Sequence, residues 1–352
     1  MLVVKKEGIV LSKSTLGFEM EGVLNPGVIH YGDFIHMFYR AVGKGNFSTI
    51  GYCKFSSPLE VAERDDTPLL FPQFEYEEHG MEDARIVRID DTFYLTYCAY
   101  DGINALGALA TSTDLITWSK RGVIVPQMAF AEFKRLAETK GKLNEKYKRY
   151  NEHEGIKKLE GKKVLMWDKN VMFFPRRING KLYFLHRIKP DIQLVCVHDL
   201  SELTTDFWQN YFLKIEEYIV LSPKHKHEIS YIGGGCPPIE TSLGWLIIYH
   251  GVKDSIEGYV YSACAALFEL DNPQKEITRL PHALFKPEFE WELKGEVNNV
   301  CFPSGAIVQN DTLYLYYGAA DERIGCASVS LTELLDELLL YTTSNENESS
   351  KH

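Results

Sequence analysis

The sequence is short of the features that would assign it to several large classes. It has no run approaching the ~20 apolar residues that a membrane span needs. Its opening Met-Leu-Val-Val-Lys-Lys-Glu-Gly has no apolar segment followed by a cleavage site, so no secretory signal is expected. Seven cysteines stand singly, at Cys53, Cys98, Cys196, Cys236, Cys264, Cys301 and Cys326, without a Cys-x-x-Cys pair. That pattern argues against a disulfide frame or a zinc centre and leads to the expectation of reduced thiols in a cytoplasmic protein. Basic excess is missing as well. The net charge of −11 is the wrong sign for a nucleic-acid partner, whose phosphates need a basic face.

Aromatic residues are abundant, with 20 Tyr and 19 Phe among 352 residues, which favours strands. One pattern recurs five times: an apolar strand, a polar turn, then a strand heavy in aromatics. Its copies span 28–40 around Gly32-Asp33, 85–97 around Asp90-Asp91, and 173–187 around Asn179-Gly180. The last two span 238–250, turning through Gly244, and 306–318, turning through Asn310-Asp311. A third and a fourth strand are expected after each hairpin, in the second copy at 105–111 and 117–125. Five sheets that cannot bury their faces alone predict an all-β fold, a five-bladed β-propeller. A sandwich built of hairpins is the alternative.

Two segments stand outside the repeat. Residues 128–163 are dense in Lys and Glu and read as a helical insertion between blades two and three. Residues 331–341, Leu-Thr-Glu-Leu-Leu-Asp-Glu-Leu-Leu-Leu-Tyr, read as an amphipathic C-terminal helix, whose apolar stripe hints at a homo-oligomer. The organisation expected is a single catalytic domain over 1–341 and a polar, disordered tail over 342–352.

In a propeller the innermost strands line one axial cavity, so equivalent repeat positions converge there. Those positions carry Asn25, Glu82-Asp83, Lys169-Asn170, Tyr231 beside Gly233-Gly234-Gly235, and Asn298-Asn299. The ends of the second strands add Arg40, His186-Arg187, His250 and Asp321. One acid pair in a ring of polar and cationic groups suits glycosyl transfer. Breaking a glycosidic bond needs a carboxyl to hand a proton to the leaving oxygen and a nucleophile at the anomeric carbon. Asp83 is the candidate acid, and Lys169, Arg187 and His250 could gather an anion such as phosphate. The plainer readings are a strand-end cap for Asp83 and pairing with cavity carboxylates for the cations. No metal and no bound cofactor are expected, since His225-Lys226-His227-Glu228 lacks a third ligand.

Several motifs in order resemble glycoside hydrolase family 130. They are Met81-Glu82-Asp83-Ala84-Arg85, Asp168-Lys169-Asn170-Val171 with Phe174-Pro175-Arg176, Leu185-His186-Arg187, Gly233-Gly234-Gly235-Cys236-Pro237-Pro238-Ile239, the run from Gly244 through His250 to Val252, and Tyr317-Gly318-Ala319-Ala320-Asp321. The resemblance covers roughly 25–334. It implies a five-bladed propeller acting on β-mannosides with inversion, as a phosphorylase using inorganic phosphate or as a hydrolase. By the same resemblance Asp83 matches the general acid, which works through a sugar hydroxyl. Asn25, Arg40 and Asp321 match positions that hold the sugar, and Arg85 falls within the first motif as a substrate-binding residue. Of the two arginines, lysine and histidine that bind phosphate in the phosphorylases, Arg187 and His250 match one arginine and the histidine. Lys169 stands where the other arginine is expected and Tyr231 where the lysine is expected. Lys lacks the bidentate fork of Arg, and Tyr offers one uncharged donor, so phosphate would be held more weakly.

If water were the nucleophile, a carboxylate would have to activate it about 6.5–9.5 Å from the acid. Glu138, Glu145, Glu152 and Glu154 of the insertion, and Glu228, are the candidates. Phosphorolysis is the marginally preferred expectation. An arabinanase- or fructosidase-like hydrolase would need three separated acids, and a non-catalytic sugar-binding propeller would survive loss of Asp83.

Overall fold

The hairpin turns show why the repeat folds as it does. At Gly32, Asp90, Asn179 and Asn310 the first turn residue is left-handed, with φ of 60°, 53°, 50° and 49°. Gly, Asn and Asp tolerate this conformation best. The fourth hairpin differs from expectation: Thr241 pairs directly with Gly244, so the chain turns at Ser242-Leu243 and Gly244 opens the next strand.

The computed structural model describes residues 2–152, 163–256 and 258–342. Its strands form five antiparallel units. The first comprises Gly22–Tyr31, Phe34–Gly43, Phe47–Ser57 and Glu60–Arg64, and the second Gly80–Ile89, Thr92–Tyr100, Ala105–Ser112 and Ser119–Val123. A single parallel bridge, Ser48 to Gly80, joins these two into one eight-stranded sheet. The third unit is Lys169–Phe173, Leu182–Arg187, Ile192–Val197 and Ile219–Leu221. In the fourth, Tyr231–Gly234 and Ile239–Thr241 both pair with Gly244–Ser255, followed by Gly258–Phe268 and Glu276–Arg279. Pro237 and Pro238, which lack N–H donors, fall in the gap of that first strand.

The fifth unit corrects the expectation that every fourth strand follows its hairpin. Cys301–Gln309, Thr312–Ala319 and Arg323–Ser330 are completed by the N-terminal strand Lys5–Leu11, which pairs with Arg323–Ser330. First strands of successive units contact one another from the first unit to the fourth. Cys301–Gln309 meets both the fourth unit and Gly22–Tyr31.

Alternation buries one face of each strand against the neighbouring unit. Between the third and fourth units, for example, Phe174 meets Trp245 edge-on, with centroids 5.0 Å apart, and both are buried. The insertion contains helices Phe130–Ala137 and Glu145–Asn151. Phe130, Phe133, Leu136 and Tyr147 bury their side chains in one cluster with Tyr211 and Phe212 of a helix, Thr205–Phe212, that the sequence reading did not foresee. Insertion residues 153–162, and the tail from 343 onwards, lie outside the described residues. The terminal helix Leu331–Leu339 is capped by Ser330, whose hydroxyl accepts from the Glu333 N–H. Its Leu334, Leu335 and Leu338 are buried, so most of the stripe read as an assembly surface is covered by this chain itself. Among the described residues no helix is long and apolar enough to cross a membrane, and all seven cysteines are free.

Candidate active site

The site grows from one local irregularity repeated in three units. Pairing slips between Leu24 and Gly27, between Glu82 and Arg85, and between Lys169 and Met172. Each slip carries a left-handed residue: Asn25 at 48°, Asp83 at 54° and Asn170 at 58°. Bulges of this kind re-aim side chains, and Asn and Asp hold positive φ at least cost. The three units thereby turn Asn25, Asp83 and Asn170 into a common cavity of about 260 Å³.

That cavity is lined by Asn25, Arg40, Asp83, Lys169, Arg187, Tyr231 and Asp321 among others. Seven of the nine sequence-predicted site residues thus line one cavity. The other two, Arg85 and His250, are fully buried behind it. Arg85 donates from Nε to the Gly235 carbonyl at 2.9 Å and from Nη1 to the Asp83 carbonyl at 2.6 Å. Arg187 donates from Nη1 to His250 Nε2 at 3.3 Å. Close backbone approach makes room for this layer. A Cβ on Gly233 would lie 2.6 Å from the His250 ring and 2.8 Å from Arg187 Cδ, and one on Gly318 would lie 2.0 Å from Asn25 Oδ1.

Three carboxylates, Glu82, Asp83 and Asp321, meet the cations here. Glu82 is an anchor: Arg40 Nη2 reaches its Oε1 at 3.0 Å and Lys169 Nζ its Oε2 at 3.4 Å. Asp83 accepts from Asn25 Nδ2 at 2.7 Å. Burial pushes the Asp83 carboxyl up, but Arg40, Arg85, Lys169 and the Asn25 hydrogen bond outweigh it and hold it below the usual range. Asp321 goes the other way. Burial, reinforced by the charges of Asp83 and Glu82 and only partly offset by Arg40, pushes it up to about 6. His250 is kept neutral by burial and by Arg187, Arg85 and Lys189. Burial also raises the Tyr231 hydroxyl, so it stays protonated. Arg187 Nε is buried without a hydrogen-bond partner, which is costly unless something else satisfies it.

Some expectations need correction. His186 does not face the cavity. Successive strand residues point to opposite sides, and its ring bonds Asp168 Oδ2 at 2.7 Å and the Tyr211 hydroxyl at 3.0 Å. Val297, Val300 and Phe302 line the wall where Asn298-Asn299 was expected, and Asn298 instead accepts from the Gly295 N–H. The proposed water-activating carboxylates are elsewhere. Glu228 is buried, accepting from the Lys224 and His225 N–H groups and the Tyr249 hydroxyl. Glu145 and Glu152 pair with Lys142 and Lys148, Glu138 does not line the cavity, and Glu154 lies outside the described residues. Lys189, Trp167 and Tyr261 line the cavity and were missed. Lys189 and Tyr261 sit beside expected residues, Lys189 two positions after Arg187 and Tyr261 hydroxyl-to-hydroxyl with Tyr231.

Uncharged polar groups, a carboxyl pair with diverging proton affinities and an adjoining cationic end suit a carbohydrate-active enzyme that cleaves glycosidic bonds. A family model described as beta-1,4-mannooligosaccharide phosphorylase matches residues 17–339, and the chain belongs to that family, glycoside hydrolase family 130. It is 30% identical over 339 residues to a 1,2-beta-oligomannan phosphorylase of Thermoanaerobacter sp. (strain X514), covering 93% of this chain and 96% of that protein. It is 32% identical over 329 residues to a beta-1,2-mannobiose phosphorylase of the same organism, covering 89% and 91%. Its fold resembles a beta-1,2-mannobiose phosphorylase from Listeria innocua, with TM-score 0.70, 22% identity and coverage of 96% and 99%.

Proposed function

We propose that this chain is a β-mannoside phosphorylase: it breaks a β-mannosidic bond with inversion, inorganic phosphate attacking the anomeric carbon to give mannose 1-phosphate. The five antiparallel units would be the blades of one five-bladed propeller forming a single catalytic domain over 1–341. Supporting this are the sequential contacts between first strands and the closure of the fifth unit by the N-terminal strand.

Each residue then has a task. Asn25, Arg40 and Asp321 would hold the mannosyl unit, with Arg85 buttressing Asp83 from behind. Asp83 would deliver the proton to the leaving oxygen through a sugar hydroxyl. Arg187, with His250 behind it, would hold phosphate on the opposite face, assisted by Lys169 and Tyr231. The charges of Arg40, Arg85 and Lys169 hold the Asp83 carboxyl below its usual range. A phosphate dianion held by Arg187 and Lys169 would offset part of that positive field and raise the proton affinity of Asp83. Loading the nucleophile therefore arms the acid.

The observation that carries phosphate over water is Arg187 at the cationic end of the cavity: among the described residues no carboxylate lies within ion-pair distance of it, and its Nε is buried without a hydrogen-bond partner. None of the described water-activating candidates lines the cavity. The test is incubation with β-1,2- and β-1,4-mannobiose, with and without phosphate. Mannose 1-phosphate formed only when phosphate is present is the expected result, and the two substrates assign the linkage. Free mannose released at the same rate without phosphate overturns the reading in favour of hydrolysis.

A further inference from the structure

We propose that Lys189 is a phosphate-binding residue of this enzyme, supplying from the end of the third unit the positive charge that the uncharged Tyr231 does not. The inference rests on the phosphorolytic reading above and adds a residue to it.

Lys189 lies just beyond the strand that ends at Arg187 and lines the same cavity. Its Nζ sits 4.0 Å from the centroid of the Tyr231 ring, and the Arg187 guanidinium carbon lies 5.8 Å from that centroid. Two cations therefore share one aromatic ring, which can hold an ammonium by its quadrupole. The other cations are already engaged. Arg40 and Lys169 pair with Glu82, and Arg85 bonds the carbonyls of Asp83 and Gly235. Among the described residues no carboxylate lies within ion-pair distance of Lys189 or Arg187, so two positive groups at one end of the cavity lack an anion of their own.

The position is held from behind. Asn151, at the end of the second insertion helix, donates from Nδ2 to the Lys189 carbonyl at 2.6 Å and to the Tyr147 carbonyl at 2.9 Å. Tyr150 on that helix places its ring 5.3 Å from Tyr231 and 6.0 Å from Lys189 Nζ. The insertion thereby fixes the lysine beside Arg187. Burial, and then the charges of Arg187 and Lys169, drive the Lys189 pKa well below the usual lysine value. An arriving dianion opposes the repulsion from Arg187 and Lys169 and favours the charged ammonium.

The test compares the wild-type enzyme with Lys189→Met and Lys189→Arg, varying phosphate at saturating mannoside and mannoside at saturating phosphate. The expected result is a phosphate KM at least about tenfold higher in Lys189→Met, a mannoside KM within about twofold of wild type, and recovery to within about threefold in Lys189→Arg. A second readout needs no turnover: inorganic phosphate alone should raise the unfolding temperature of the wild type and do so much less in Lys189→Met. An unchanged phosphate KM and thermal shift overturns the proposal, as does a change confined to the mannoside KM. Failure of the underlying reading looks different, since wild type itself would then turn over without phosphate.

Discussion

Asn25 and Asp83, 58 positions apart in the chain, occupy the same left-handed bulge in adjacent units and are joined by a 2.7 Å hydrogen bond. The fold presents the candidate acid and its nearest hydrogen-bond donor as equivalent residues of two copies of one motif. Neither backbone conformation suits a branched or bulky side chain.

Asp83→Asn separates chemistry from folding. Asn accepts positive φ as readily as Asp, so the unfolding temperature should stay within a few degrees of wild type. Turnover should fall by about 10²–10⁴-fold while mannoside still binds, which kinetics and calorimetry can check. Retained turnover would remove Asp83 from the chemistry.

Asn25→Asp replaces a donor to Asp83 with a like charge. Two carboxylates sharing a site raise one proton affinity, opposing the Arg40, Arg85 and Lys169 fields. The limb of the pH–rate profile belonging to Asp83 should move to higher pH by about one unit or more. An unmoved profile would show that the two side chains are not coupled.

Asp321→Asn should stabilise the protein at neutral pH and impair catalysis. The folded-state pKa of about 6 lies above the ordinary 3.8, so the native state binds this proton more tightly than the unfolded chain. Its contribution is fully favourable below about pH 4 and is lost as pH rises through 6. The substitution should therefore add about 1–3 kcal/mol at pH 7 and almost nothing at pH 4. Denaturant unfolding at both values decides it.

Gly233→Ala probes the cationic end without touching a charge. The added methyl would meet the His250 ring and Arg187 Cδ at 2.6 and 2.8 Å, so one of them must move. Phosphate KM should rise about tenfold or more, with mannoside KM nearly unchanged. Equal rises in both constants would place the anion elsewhere.

Much of this was legible because the repeat is carried by strong local signals. Turn residues at Gly32, Asp90, Asn179 and Asn310 have positive φ, and the aromatic strands that follow make hairpins readable. Equivalent positions then led from Asp83 to Asn25 and Lys169. The N-terminal strand was not legible, because irregular pairing at Lys6/Gly8 and Ile9/Leu11 and Gly8 at φ 107° break the period of two. Lys189 was hidden because it follows the strand end, and Val42 and Tyr100 at the corresponding places of the first two units carry no charge. His186 was misplaced because adjacent motif residues were read as facing one way, whereas a strand turns them apart.

The pairing of residues 5–11 with residues 323–330 also sets an order of events during synthesis. The strand Lys5–Leu11 has no partner in its sheet until residues 323–330 have been made. The first four units can assemble as they emerge, but the fifth waits for Lys5–Leu11 to meet Arg323–Ser330 and keeps an unmatched β-edge until then.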